Sequence, residues 1–174
     1  MLDSKYIHDV CEKIAKTTGT RDTLQIMKAR DIIVTSADLG NLLGMYSALL
    51  RNRFVILNKN LDEYMERMVC AHELGHDCLH RSIARQGAMQ EFGLFNITNS
   101  TEYEANAFAA HLLMPDDDFL ESLHEGKDVV QLSSLFGCNV NLVLIKVQEM
   151  VNLGYDLRVP MEPNPKFLKN ITVQ

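Results

Sequence analysis

Hydrophobic residues recur at helical spacing along the N-terminal part of this chain. Between Lys5 and Lys16 the apolar side chains fall on one helix face, at Ile7, Val10, Cys11 and Ile14. This 3.6-residue period predicts a first helix that ends near Gly19 and serves as scaffold. A second, shorter helix is predicted over Thr23–Arg30, and the apolar run Asp31–Thr35 that follows is typical of a strand.

Two further apolar runs predict a β-hairpin. Gly44–Leu50 and Phe54–Leu57 flank the polar residues Arg51–Arg53, which are predicted to form the turn. Together with the preceding strand they make a small three-stranded sheet. An exposed sheet edge can hold an extended peptide by backbone hydrogen bonds. We expect Gly44–Leu49 to form such an edge, although core packing alone would also explain these strands.

Two longer helices are predicted in the centre of the chain. Asp62 is a suitable N-cap for a helix that carries early acidic residues and runs through Gly75. Ser100–Met114 is rich in alanine and stops at Pro115, which cannot continue a helix. The small side chains would let this second helix pack closely against the first. Between them, Arg81–Asn99 is irregular in pattern and predicts a loop.

The pattern after the second central helix predicts more helices and then an irregular tail. Asp116–Asp118 suits a helix N-terminus. Asp128–Leu142 resembles a helix-turn-helix with glycine in the turn, and a following helix runs to about Leu153. Three prolines from Val159 onwards predict an irregular end.

Composition and charge limit the classes of protein to which this chain can belong. Its 174 residues and 47% hydrophobic content suffice for one domain with a substantial core. The net charge of −6 disfavours a broad phosphate-binding surface, so we expect no direct nucleic-acid binding. The four cysteines show no C-x-x-C spacing, and no apolar run reaches the ~18 residues of a membrane span. With no signal-peptide pattern either, we expect a cytoplasmic protein with reduced thiols and no membrane partner.

The sequence His72-Glu73-Leu74-Gly75-His76 lies within the first central helix. Residues four apart share one helix face, so both imidazoles can reach one ion about 2.0–2.1 Å away. Glu73 lies about 100° round the helix, where its carboxylate can take a proton from the attacking water without binding the metal. This is zinc-hydrolase geometry. It predicts His72 and His76 as metal ligands, Glu73 as the catalytic base and Zn²⁺ as the cofactor.

A third ligand must come from elsewhere, because catalytic zinc usually takes three protein ligands. The second central helix offers Glu102 and Glu104, which helical phase places on roughly opposite faces. We favour Glu102, because Asn106 lies one turn later on the same face and could accept the N–H of a ligating imidazole. Glu104 is then interpreted as a surface or helix-dipole carboxylate. The alternative that Glu104 is the true ligand stays open.

The remaining histidines are not predicted to bind metal. His80 follows His76 by four residues, but it has rotated off the face of His72. We interpret it as a helix-end or hydrogen-bonded histidine. His8, His111 and His124 lack partners at metal-binding spacing and are interpreted in the same way.

The two motifs, His72–His76 and Glu102–Pro115, together resemble the ImmA/IrrE family of metallopeptidases. The likeness is clear over Gly44–Pro115 and looser to about Tyr155. It implies a gluzincin-like domain in which both motifs lie on neighbouring helices. It also implies that the Glu of a Glu-x-x-x-Asn step, here Glu102 with Asn106, is the third zinc ligand, in agreement with the helical phase.

The resemblance completes the predicted fold, which is α+β. A small three-stranded sheet accompanies a zincin-like, gluzincin-like catalytic helix pair and a helical C-terminal extension. Residues 1–115 are predicted to form the metallopeptidase domain, 116–158 a helical extension packed on it, and 159–174 an irregular tail.

The resemblance further implies a substrate, since members of the family cleave helix-turn-helix repressors of mobile elements or stress regulons. We therefore predict a zinc-dependent, site-specific endopeptidase whose protein partner is such a repressor. Tyr46 and Tyr103 are conceivable oxyanion-stabilising groups, although the sequence assigns neither.

Two alternatives to an endopeptidase stay open. A zinc-stabilised adaptor would bind a repressor without cleaving it, but a purely structural zinc site has no need of a base such as Glu73. A DNA-binding regulator would use the helix-turn-helix-like segment. Its recognition helix, Val140–Asn152, carries only Lys146 as a basic residue, so its surface is suited to packing and not to reading a groove.

Overall fold

The computed structural model describes residues 2–49, 51–85, 87, 89–91 and 100–157. Within these residues the chain forms eight helices and four strands. In chain order they are α1 (Ser4–Thr18), α2 (Thr23–Ala29), β1 (Ile32–Ala37), β2 (Gly44–Leu49), β3 (Asn52–Asn58), α3 (Glu63–Leu79), α4 (Arg81–Ala84), β4 (Met89–Glu91), α5 (Ser100–Leu113), α6 (Asp116–His124), α7 (Val129–Phe136) and α8 (Val140–Asn152). The α+β class predicted from the sequence is confirmed.

The sheet has the strand order β1-β3-β2-β4. β1 runs parallel to β3, and β2 runs antiparallel to both β3 and β4. The prediction of three strands was therefore one strand short. Gly44–Tyr46 of β2 pairs with Met89–Glu91, so the expected open edge over Gly44–Leu49 is wrong for its first half. A three-residue strand carries too little alternation to be read from sequence, yet its backbone groups satisfy those of β2.

The hairpin between β2 and β3 turns one residue earlier than predicted. β2 ends at Leu49 and β3 already begins at Asn52, where we expected the turn to cover Arg51–Arg53. Arg51 has a φ of 72°, in the left-handed region that two-residue hairpin turns require. Glycine or asparagine is the usual occupant of such a position, and an arginine there costs roughly 1–2 kcal/mol of backbone energy.

Close contact between α3 and α5 forms the centre of the molecule. A Cβ atom added to Gly75 would lie 3.0 Å from both Cα and O of Ala105 and 3.3 Å from Cβ of Phe108. Gly75 is therefore needed for the backbone approach, at a propensity cost of about 1 kcal/mol within a helix. The small residues of α5 are buried, including Ala105, Ala107, Ala109 and Ala110.

The ends of the central helices follow the sequence signals. The Asp62 side chain accepts a hydrogen bond from Met65 N and caps α3, as predicted. α5 ends just before Pro115, which occupies the N-cap of α6. The predicted loop Arg81–Asn99 holds the short elements α4 and β4, and its last part, 92–99, lies outside the described residues, as does the predicted tail 159–174.

The C-terminal helices α7 and α8 pack against each other, and α8 packs on α5. Asp128 caps α7 in a reciprocal capping box with Gln131. In the described ranges, no single helix has the length and apolar character to cross a membrane; α7 and α8 would meet that test jointly, but they are bent by 105°.

Gly75→Val should push α3 away from α5, because the added side chain has no room beside Ala105. We expect the free energy of unfolding to fall by roughly 1–3 kcal/mol in urea titration. Gly87→Ala is the control, since nothing lies within 4 Å of an added Cβ there. Equal stability of the two variants would show that the helix contact is not tight.

Candidate metal centre

Two buried imidazoles meet on one face of α3. His72 and His76 are 0% and 2% exposed, and their Nε2 atoms lie 3.0 Å apart. Their rings meet edge to face, with centroids 4.6 Å apart. The nitrogen lone pairs therefore point at a common position beside the helix.

Glu102, in the first turn of α5, brings a carboxylate to the same position. Its Oε2 lies 3.2 Å from His72 Nε2 and 3.6 Å from His76 Nε2. Ligands about 2.0–2.1 Å from a tetrahedral ion are about 3.3–3.4 Å apart, because each edge of the tetrahedron is about 1.63 times the bond length. The three donor atoms have nearly this spacing, and their His₂Glu chemistry suits a divalent metal ion.

The protonation states of these groups also suit a metal. Burial lowers the pKa of His76 to about 4, so its imidazole is neutral at physiological pH. Burial alone would raise the pKa of Glu102, but its close polar contacts with His72 and His76 outweigh burial, and the pKa falls below its usual range. Neutral imidazoles and an ionised carboxylate are the forms that bind a cation.

Asn106 lies one turn after Glu102 on α5, as helical phase predicted. Its Oδ1 is 2.9 Å from His72 Nδ1, and both residues are buried. An amide oxygen only accepts, so Nδ1 of His72 carries the proton and donates it to Asn106. Nε2 of His72 is then the nitrogen that can present a lone pair to a metal.

His76 is held by a second chain of contacts that the sequence did not reveal. His76 Nδ1 lies 3.0 Å from His80 Nδ1, and His80 Nε2 lies 2.9 Å from Glu104 Oε2. His80 donates its Nε2 proton to the Glu104 carboxylate, so its Nδ1 accepts the proton that His76 donates from Nδ1. The other ring nitrogen of His76, Nε2, is then unprotonated. The expectation of a hydrogen-bonded His80 is confirmed.

The expectation that Glu104 is a surface carboxylate is wrong. Glu104 is only 4% exposed, and besides His80 it accepts a hydrogen bond from Leu2 N at 2.6 Å. The face of α5 opposite Glu102 is covered by α1 and the chain before it, so no side of this helix faces solvent at Glu104. Glu102, and not Glu104, meets the two imidazoles.

Glu73 is fully buried beside the start of β2. A Cβ atom added to Gly44 would lie 2.9 Å from Glu73 Oε1 and 2.6 Å from Cγ1 of Val69. Only glycine lets β2 approach α3 this closely. Gly44 therefore positions the strand against the carboxylate, and its place at the start of an apolar run was the only signal in the sequence.

Asp77, which follows His76 directly, anchors α3 to the sheet. Its fully buried carboxylate accepts from Arg30 at 2.9 Å, Arg53 at 3.2 Å and Arg81 at 3.1 Å. Burial alone would raise the pKa of Asp77, but the Arg30 hydrogen bond and the other donors hold the pKa below its usual value. The sequence analysis did not single out this residue.

Neither tyrosine considered as an oxyanion donor faces the trio of His72, His76 and Glu102. The Tyr46 hydroxyl donates to Asp77 Oδ1 at 2.8 Å, and the Tyr103 hydroxyl donates to Glu149 Oε1 at 2.7 Å. Both hydroxyl groups are engaged in anchoring elements of the fold.

A second polar cluster joins α1, α5, α6 and α8. His8 Nε2 lies 2.9 Å from Asp116 Oδ2, and Lys146 Nζ lies against Asp116 Oδ1 and 3.1 Å from His111 Nδ1. Two histidines that we expected to stand apart therefore share one carboxylate. Asp116 is more than a helix cap. The Lys146 ammonium supplies the cation of this cluster, and as a fully buried residue it cannot face a DNA groove.

Comparison with known proteins places this chain in a family. The model of the IrrE N-terminal-like domain, a peptidase family, matches residues 27–148, which include both helices of the trio. The chain belongs to the ImmA/IrrE family of metallopeptidases. The expected family resemblance is thus confirmed, and the match extends well beyond the two motifs.

Two relatives of this ImmA/IrrE chain come from a Bacillus phage and from Bacillus subtilis. "Uncharacterized immunity region protein 2" of Bacillus phage phi105 is 41% identical over 75 residues, which cover 43% of this chain and 46% of that protein. "Metallopeptidase ImmA" of Bacillus subtilis (strain 168) is 28% identical over 126 residues, which cover 69% of this chain and 70% of that protein.

Asp77→Asn should destabilise the protein, because the amide cannot neutralise the three arginines around it. We expect a loss of roughly 2–4 kcal/mol in the free energy of unfolding, measured in urea. Asp38→Asn is the control, since Asp38 pairs with Lys59 at the exposed surface and its loss should hardly change the midpoint. Indistinguishable midpoints would mean that Asp77 does not anchor α3.

Proposed function

We propose that this protein is a zinc-dependent endopeptidase in which His72, His76 and Glu102 hold the metal and Glu73 is the catalytic base. The observation that carries the proposal is the triangle of His72 Nε2, His76 Nε2 and Glu102 Oε2, with edges of 3.0, 3.2 and 3.6 Å. This spacing suits tetrahedral coordination with one position left for water or substrate. Zinc is favoured because two imidazoles and one carboxylate are a common ligand set of catalytic zinc.

When bound, a zinc ion would act as a Lewis acid that polarises the substrate carbonyl and makes a water molecule more acidic. The protein's own contribution is to hold and move the proton. Glu73, on the same helix and buried beside Gly44, would accept the proton of the attacking water and pass it to the nitrogen of the leaving amine. The amine then departs neutral.

The surrounding side chains would keep the ligands in the required tautomer. Asn106 accepts from Nδ1 of His72, and the chain through His80 to Glu104 does the same for His76. Fixing the tautomers in this way strengthens metal binding. We therefore propose Asn106, His80 and Glu104 as positioning residues, with α3 and α5 as the zincin-like catalytic helix pair.

We propose a helix-turn-helix repressor as the protein substrate, cleaved in the cytoplasm at one site. Support comes from the family and from the relatives, one named a metallopeptidase and the other a product of a phage immunity region. We also propose that residues 1–115 form the peptidase domain and 116–158 an extension packed on it.

Glu73→Gln should retain the metal and abolish cleavage, because an amide cannot accept the proton of the attacking water. Purified protein is incubated with the helix-turn-helix repressor encoded beside its gene, and a single new cut is sought by mass spectrometry. Glu63→Gln, an exposed change at the start of α3, is the matched control and should cleave normally. Cleavage by the Glu73→Gln variant at near wild-type rate would contradict the mechanism. If the wild-type protein bound the repressor but did not cleave it, the result would favour an adaptor.

Measured metal content should distinguish the roles of the two carboxylates of α5, Glu102 and Glu104. Glu102→Ala removes a ligand, so zinc per protein after dialysis should fall sharply. Asn106→Ala and Glu104→Ala each remove a group that orients an imidazole, and both should keep the site while weakening zinc affinity about 10–100-fold. Elemental analysis and competition with a chelator measure these effects. Loss of metal from the Glu104 variant, with normal content in the Glu102 variant, would overturn the assignment.

A further inference from the structure

Arginine is distributed unevenly in this acidic protein. Four of the chain's eight arginines, Arg51, Arg53, Arg81 and Arg85, line one cavity of about 600 Å³ beside the β2–β3 hairpin. They come from three different elements: the hairpin turn, β3, and α4 with the residue that follows it. The net charge of the chain is −6, so this concentration of positive charge runs against its overall character.

The positive charge of the cavity is only partly neutralised. Arg53 and Arg81 contact the buried carboxylate of Asp77, which Arg30 shares from the other side. Three guanidinium groups therefore surround one carboxylate. Arg51 and Arg85 are exposed and form no ion pair with the described side chains. A ligand would meet two arginines held in place by Asp77 and two that can move to it.

The backbone at Arg51 adds an independent observation. Its φ of 72° suits glycine, yet the position holds a long cationic side chain at a cost in backbone energy. Strain of this kind persists where a side chain has a task that the fold does not require. Nothing in the contacts of the described residues gives Arg51 a structural task.

An exposed leucine in the same cavity indicates which kind of anion fits. Leu49 is 58% exposed and lies among the four arginines. A phosphate group or a nucleic-acid backbone would gain nothing from this apolar surface, and a nucleic-acid track needs basic residues well beyond one pocket. Carboxylates match the planar fork of arginine, and an apolar side chain between them would cover Leu49.

We propose that this arginine cavity, formed by Leu49, Arg51, Arg53, Arg81 and Arg85, binds an acidic segment of the protein substrate that also carries an apolar residue. The inference rests on the proposed endopeptidase function. It deepens that function by giving the enzyme a contact to its substrate away from the bond that is cut. Because Asp77 follows His76 on α3, the two sites are built on the same helix end.

The test is a binding measurement on the full chain carrying Glu73→Gln, so that no cleavage takes place. The probe is a fluorescein-labelled octapeptide of six glutamates and two leucines, and its affinity is measured by fluorescence anisotropy at low salt. Arg51→Glu with Arg85→Glu should weaken binding about tenfold or more, because two attractive contacts become repulsive. The double variant Lys13→Glu with Lys16→Glu changes the net charge equally on the exposed face of α1 and should leave the affinity within about twofold.

A second variant guards against loss of folding. Arg51→Gly suits the left-handed backbone, so its melting temperature should equal or exceed that of the parent while binding of the peptide is weakened. Higher stability with weaker binding would show that the arginine is kept for its ligand. Unchanged binding in Arg51→Gly and in the double reversal together would overturn the proposal.

Competition distinguishes the possible sources of the anion. Replacing the glutamates of the probe by glutamines should abolish binding, and an equally tight glutamine peptide would overturn the proposal. Tripolyphosphate or an oligothymidylate that binds through the same arginines more tightly than the peptide would also overturn it, in favour of a phosphate ligand. The binding test uses the Glu73→Gln variant and so does not depend on cleavage. Peptide binding can therefore be observed even if the endopeptidase proposal fails. Conversely, cleavage that depends on Glu73 can be observed even if the peptide does not bind.

Discussion

The backbone contact between Gly75 on α3 and Ala105 on α5 is the constraint on which the arrangement depends. It brings the two helices together so closely that a methyl group on Gly75 would press against the backbone of α5 at 3.0 Å. Glu102 lies three residues before Ala105 on α5. The imidazoles of His72 and His76, which Glu102 contacts, lie on either side of Gly75 on α3. An increase of 1 Å in the separation of the helices would exceed the tolerance of metal coordination, which is about 0.2 Å. The helix pairing and the candidate metal centre are therefore a single feature of the fold.

Local signals predicted much of this structure. The start of α3 at Asp62, the end of α5 before Pro115 and the shared face of Glu102 and Asn106 all depend on neighbours within one or two helical turns. Periodicity determines which side chains share a face, but it does not name the element that covers the face. For this reason the role of Asp77, the contact of His80 with Glu104 and the β4 strand were missed, since each depends on segments distant in sequence.

Glu104 shows most clearly where the sequence reasoning failed. Helical phase correctly separated it from Glu102, but the opposite face was taken to be solvent. A helix with alanine on nearly every side, such as α5, has no polar face and is buried all round. A carboxylate within it must then have an internal partner, which is His80. The same argument applies to His111, which the sequence left isolated and the fold brings to Asp116 and Lys146.

The hydrogen bond from Leu2 N to Glu104 gives the amino end of the chain an unexpected connection. Through His80 it continues to His76, so four successive contacts lead from the second residue to the position where the metal would bind. A change to the backbone at Leu2 would therefore act on the carboxylate that orients an imidazole, and the metal affinity of such a variant would report on the segment before α1 as well as on the candidate metal centre.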